Sequence, residues 1–305
     1  LDELVCIPEE NEVFSASACG NSGTGKTLLL NRLVSCLFHQ WKCNVAIMND
    51  LSDETYKWSE PMNNYDFNLY NFNWIHQKPV SSPLIYLFPN SYDFELPKHK
   101  LSGKTHLKVV LPFREIVDNL EFFLNGLISD FELGKSGMYV NELKEDLRKC
   151  QTTSEIKEVL EENLPGSDGK SFKAMRIKIM TAFNNLFKEE ILDITNPECH
   201  VYLDYEGFIS NPFSALMKGR TIPSFMTSNL ITKKYKSQVF AYYTDLIFQN
   251  NLKDFPNQKT FICFDELRDV CLKTDEPSTT ALSRVSARGR INNVGLIYAT
   301  QFYNL

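Results

Sequence analysis

One octapeptide limits the folds open to this chain more than anything else in it. Gly20-Asn21-Ser22-Gly23-Thr24-Gly25-Lys26-Thr27 fits G-x-x-x-x-G-K-[ST] at every fixed position. Glycines let the backbone turn its amides inward with no Cβ in the way, which makes an anion nest at the start of a helix. The flanks supply the context such a nest requires. Glu12 to Cys19 reads as a buried strand of small and apolar residues. From Lys26 to Phe38, Leu29, Leu30, Leu33, Val34 and Leu37 recur at helical spacing, and Cys43 to Met48 is a second apolar run. Strand, glycine loop, helix and strand form a βαβ unit, so the expected fold class is α/β with a mainly parallel sheet around a nucleotide-binding core. In such a cradle Lys26 reaches the β- and γ-phosphates and the Thr27 hydroxyl ligates Mg²⁺, which implies ATP and Mg²⁺ as cofactors.

Hydrolysis needs carboxylates opposite the cradle. Phe261-Ile262-Cys263-Phe264-Asp265-Glu266 is an apolar strand that delivers two acids at its tip. Asp265 is expected in the Mg²⁺ shell and Glu266 to polarise the attacking water. Leu203-Asp204-Tyr205-Glu206 competes, but its apolar run is weaker and no comparable strand comes after it, so it ranks second. Gly103-Lys104-Thr105 lacks the upstream glycine and strand and reads as a loop. Leu101-Ser102-Gly103 lies too far before Asp265 to act as an ABC-type signature.

The rest of the chain is placed by pattern. Residues 51–92 are aromatic and polar without a clean period, with a further strand at Leu84 to Phe88. Helical spacing runs through Ile116, Leu120, Phe123, Leu124 and Leu127, continues from Leu143 to Leu164, and resumes from Phe172 to Leu192, with a loop around Pro165 to Gly169. The expected organisation is a core of residues 1–92 and 200–305, with 93–199 a mainly helical insertion. A strand at Ile222 to Ser228, a helix from Ser237 to Gln249 and a strand from Val294 to Thr300 complete the core.

Bulk properties exclude some classes. A formal charge of -6 argues against a surface coated in positive charge, though not against a basic lining on one face. No run of 18 or more apolar residues marks a transmembrane helix, and no secretory leader is visible, so the expectation is a cytoplasmic protein without membrane contact. None of the 8 cysteines is in C-x-x-C spacing; Cys36, His39 and Cys43 are read as coincidence rather than a metal site.

A basic helix, a turn and an apolar strand come after the acids: Arg284, Arg288, Gly289 and Arg290, then Gly295-Leu296 and Thr300-Gln301. This stretch resembles the HerA–FtsK superfamily of DNA-pumping ATPases, the HerA branch in particular, where an Asp-Glu strand is followed by a helix, a Gly-Arg pair and a strand ending in Ala-Thr-Gln. Phe225-Met226-Thr227 and Tyr242 to Phe248 are similar to the family layout as well. The resemblance implies a RecA-like core, with Lys26, Thr27, Asp265, Glu266 and Gln301 in the active site. It also implies Arg290, with Arg284 second, as an arginine finger acting in a neighbouring subunit. The family's N-terminal barrel and C-terminal tail have no counterpart here, Asn49-Asp50 matches a family acid only loosely, and the natural chain is expected to extend further. The function implied by the resemblance is an ATP-driven translocase or helicase acting on duplex DNA through the pore of a homo-oligomeric, hexameric ring. Pore lysines would come from Lys98, Lys100, Lys104 and Lys108, or from Lys233, Lys234 and Lys236. Two alternatives stand beside it. One is a viral packaging or secretion-coupling ATPase of the same superfamily; the other is a nucleotide-switched module that regulates a protein partner such as a nuclease.

Overall fold

The computed structural model describes residues 13–21, 23–50, 57–60, 80–89, 102–109, 111–127, 140–141, 143–162, 177–184, 192–193, 201–202, 211–227, 233–267 and 277–300. Strands are β1 (Ser15–Cys19), β2 (Asn44–Asp50), β3 (Leu84–Pro89), β4 (His106–Val109), β5 (Leu111–Pro112), β6 (Leu192–Asp193), β7 (Val201–Tyr202), β8 (Ile222–Thr227), β9 (Thr260–Asp265) and β10 (Val294–Thr300). Helices are α1 (Lys26–His39), α2 (Phe113–Asp118), α3 (Leu120–Leu127), α4 (Thr153–Glu162), α5 (Pro212–Lys218), α6 (Lys233–Asp254) and α7 (Pro277–Arg288).

The main sheet runs β1-β10-β9-β2-β8-β3-β4-β7, all parallel except the antiparallel pair β4–β7. Parallel strands bury both faces, and the sequences of the central strands obey that demand. In β9, Phe261 and Cys263 join the apolar layer formed with Leu30, Val34 and Leu37 of α1. Ile262 and Phe264 join the opposite layer, with Phe240 and Tyr243 of α6 and Val285 of α7. In β2, Val45 and Ile47 go one way and Ala46 and Met48 the other. The period of two therefore distributes one strand between two cores. In α6 the buried residues include Phe240, Ala241, Tyr243 and Ile247, and α3 and α7 pack against this helix. Gly295 is required where β10 passes under Phe261: a Cβ there would stand 2.4 Å from the ring and 2.5 Å from the Phe14 carbonyl oxygen.

Several expectations meet the structure with adjustments. β10 spans Val294–Thr300 as read, and α6 extends beyond the expected 237–249 at both ends. β1 is not buried as expected. Its residues alternate between exposed and half-buried, because among the described residues it is the first strand of the sheet and pairs with β10 alone. β4 lies inside 93–199, the stretch read as mainly helical, yet it joins the main sheet beside β3; the described helices of that stretch begin at Phe113. The loop around Pro165 to Gly169 lies outside the described residues.

Candidate active site

The cradle forms where β1 hands over to α1. Gly25 has φ 86° and ψ 14°, and Gly23 has φ 79°, the left-handed region that glycine enters at little cost. At Gly20 the limit is space: a Cβ would sit 2.8 Å from the Thr24 Oγ1. Thr24 braces the loop from within, its hydroxyl donating to the Asn21 carbonyl at 2.8 Å. No side chain caps the start of α1, and no acid lies in its first turn. The first amides and the positive end of the helix dipole are thus left for an anion. The Lys26 ammonium turns back over the loop and donates to the carbonyls of Gly20 at 2.8 Å and Asn21 at 2.7 Å.

Strand order brings the acids to this loop. β10 lies between β1 and β9, so the tips of three adjacent parallel strands carry the cradle, Thr300 and Asp265 side by side. The Gly20 amide donates to the Thr300 carbonyl at 3.2 Å, tying the first glycine to the tip of β10. The Thr27 hydroxyl donates to Asp265 Oδ1 at 3.1 Å, across 238 residues of sequence. Asp265 is buried at the end of a strand buried along its whole length. Glu266 comes next with φ 62°, a left-handed backbone for a residue with a Cβ, and its Oε1 is buried without a hydrogen-bond partner. Such a conformation costs about 1–3 kcal/mol and persists where the surroundings over-determine it. Glu266 thus brings an unpartnered carboxylate oxygen to the residue after Asp265.

Not every expected residue meets at this point. Ser22 and Gln301 lie outside the described residues, as do Asp204 and Glu206. The run leading to those two acids, β7, sits at the opposite edge of the sheet from β1. Arg284 is engaged within the chain: its Nη1 donates to Asp245 Oδ2 at 2.7 Å, clamping α7 to α6. Burial pushes the Asp245 carboxyl up, and Arg284 pulls against that shift. Arg290 is exposed in the turn before β10, at the foot of a strand whose tip meets the cradle, roughly 20 Å away by strand rise. Of the lysines expected at a pore, Lys236 is buried and Lys104 pairs with Glu60 at 2.9 Å. Lys98, Lys100 and the side chains of Lys233 and Lys234 lie outside the described residues.

Sequence reading missed three features. The Thr300 carbonyl acts through the backbone, which carries no side-chain signature. Asp245 lies inside a stretch whose pattern reads only as a helix. The left-handed backbone at Glu266 had no glycine or asparagine to announce it.

No family model and no curated protein matches the chain. Solved structures do. A plasmid coupling protein, TrwB, in complex with ADP and Mg²⁺ superposes with a TM-score of 0.55 at 13% identity, covering 94% of this chain and 63% of TrwB. TrwB with a non-hydrolysable ATP analogue gives 0.54 at 14% identity, over 94% of this chain and 63% of TrwB. VirB4 of Thermoanaerobacter pseudethanolicus gives 0.52 at 13% identity, over 97% of this chain and 72% of VirB4. The fold is that of the RecA-like P-loop ATPases. The chain spans about three fifths of the length of the coupling proteins it superposes on. Among its described residues no helix is long and apolar enough to cross a membrane.

Proposed function

We propose that this chain is the ATPase subunit of a DNA-moving motor of the HerA–FtsK type that works as a homo-oligomeric, hexameric ring. The observation that carries the reading is the Thr27–Asp265 hydrogen bond, 3.1 Å between the start of α1 and the tip of β9, beside a loop over which the Lys26 ammonium folds back. In this reading residues Gly20 to Thr27 hold the phosphates of ATP, with Lys26 leaving its two carbonyl partners for the β- and γ-oxygens. Thr27 and Asp265 present hard oxygen donors at a spacing suited to Mg²⁺, which would neutralise charge on the phosphates. Glu266 takes the proton from the attacking water, and Gln301 senses the γ-phosphate. Arg290 serves as the finger only in an assembly where the foot of β10 in one subunit meets the cradle edge of the next.

A second reading is favoured by the kind of solved structures found. They include a conjugative coupling protein and VirB4, which supports a secretion-coupling ATPase within the same superfamily. ATP turnover with and without duplex DNA is the first test. Strong stimulation supports the motor, and turnover indifferent to DNA would instead favour a nucleotide-timed partner module. Sizing with a non-hydrolysable ATP analogue, with Arg290→Ala as the comparison, tests the ring. A monomer under every condition would end the trans-finger argument.

A further inference from the structure

A side chain that works in another subunit's site must be carried by a turn that is itself held still. The turn of Arg290 meets that demand. The Gly289 amide donates to the Val285 carbonyl at 2.7 Å, and the Val294 amide donates to the Gly289 carbonyl at 2.9 Å, so one residue joins the end of α7 to the foot of β10. A Cβ on Gly289 would collide with the carbonyl oxygens of both Val285 and Val294, so no other residue type fits between the two elements. The Asn292 amide donates back to the Gly289 carbonyl at 3.0 Å, and Asn251 of α6 holds the carbonyls of Asn292 and Asn293. Arg290 is thus tied to α7, and where α7 lies decides where Arg290 reaches.

Apolar packing alone does not settle where α7 lies. Leu282 and Val285 join the layer that holds Ile262 and Phe264 of β9, but such contact has no direction and leaves a helix free to slide or roll on the sheet. Ser283, Ser286, Ala287 and Arg288 are exposed. The directional contact comes from Arg284, whose Nη1 donates to Asp245 Oδ2 at 2.7 Å. Arg284 precedes Arg290 by six residues, about 9 Å at helical rise. As a source of stability the pair is poorly made. The Asp245 side chain is 13% exposed, and its Oδ1 is buried with no hydrogen-bond partner. Well-packed apolar residues of the same volume commonly hold two elements together as well as a buried ion pair does. What they lack is a single preferred position.

We propose that Asp245 and Arg284 are positioning residues for hydrolysis: their ion pair fixes α7 on α6 and so aims Arg290 at the cradle of the neighbouring subunit. The proposal rests on the reading of Arg290 as a finger acting in trans and adds the device that holds it in place. Neither residue touches the nucleotide, and both act through Arg290 alone.

Mixed assemblies of the whole chain test this, with ATP turnover read in the presence of duplex DNA. Lys26→Ala subunits have a disabled cradle and an intact finger, and Arg290→Ala subunits have the reverse, so a finger acting in trans restores turnover when the two are mixed. Asp245→Asn is then added to the Lys26→Ala chain. Rescue should weaken by about 10²-fold, the loss that a misplacement near 1 Å can bring. Assembly size with a non-hydrolysable ATP analogue should stay as it was. Added to Arg290→Ala, Asp245→Asn should cost no further turnover, because the clamp has no other route to the chemistry. Undiminished rescue overturns the clamp and leaves the finger reading standing. A loss that adds to that of Arg290→Ala overturns it too, since it would assign the pair to general stability. A smaller assembly would explain weak rescue without any aiming, and also overturns it. If Lys26→Ala never rescues Arg290→Ala, the finger reading and the clamp fall together. Should Asp245→Asn not fold, Arg284→Gln, at a side chain 39% exposed, decides between the same outcomes.

Discussion

Lys26 illustrates how a single side chain can hold a site in readiness. Its ammonium occupies two carbonyl oxygens of the cradle, so it is ordered before any phosphate arrives, and binding would exchange neutral carbonyl acceptors for anionic phosphate oxygens. Glu266 is the contrasting case, with an unpartnered buried oxygen and a left-handed backbone. Its proposed work as a base belongs to the chemical step alone. Glu266→Gln should therefore lower kcat by about 10²–10⁴ while nucleotide affinity stays within a few fold, as that class of catalysis predicts. Single-turnover hydrolysis set beside binding of a fluorescent ATP analogue separates the two; equal losses in both would remove Glu266 from the chemistry.

At the level of elements, a buried amide network fixes the foot of the sheet. Asn251 of α6 donates to the Asn292 carbonyl at 2.8 Å and to the Asn293 carbonyl at 3.3 Å, and accepts from the Thr260 hydroxyl. Thus α6, β9 and the turn before β10 share one side chain, and Asn293 keeps φ 55° in that turn. Asn251→Ala should cost about 2–3 kcal/mol, since it orphans buried partners as well as removing its own bonds. Denaturant unfolding reads this directly, and a loss within the range of a surface change would show the network to be dispensable. The sequence was most legible where chemistry imposes spacing: the octapeptide, the apolar strand ending in Asp265-Glu266, and β10 between its glycine turn and Thr300. It was least legible where partners are distant. β4 is short, with alternating exposure, and becomes a sheet strand only through β3, which no local pattern encodes. Likewise, nothing local to Ser15–Cys19 distinguishes an edge strand from a central one. Only the order of the sheet decides that.

For the whole molecule, pH exposes a weak point in the last turn of α1. Burial holds the His39 imidazole below its ordinary range, a backbone bond with Ser81 opposes this, and Lys42 and Arg220 add to the depression. Its folded value lies under the unfolded one, near 6.5, so the unfolded chain takes up the proton first as pH falls. The contribution to stability is present above that unfolded value and is lost as pH drops through it toward the folded one. Between about pH 7.5 and about pH 5.5, wild-type stability should fall more steeply than that of His39→Asn. Parallel denaturant midpoints across this window test it, and superimposable pH profiles would acquit the histidine.

The cradle hangs on an edge strand. β1 is bonded to β10 alone among the described strands, and alternate amides of β1 face away from that partner. On this side of the sheet, opening should thus begin at β1 rather than at the central strands. Deuterium would enter Ser15–Cys19 well before Thr260–Asp265. The nucleotide then gains a second role. By gripping the loop at the tip of β1 together with Asp265 two strands away, bound ATP would bridge three strand tips and slow exchange along the whole frayed side, so that each turnover would loosen and reseal the edge of the sheet.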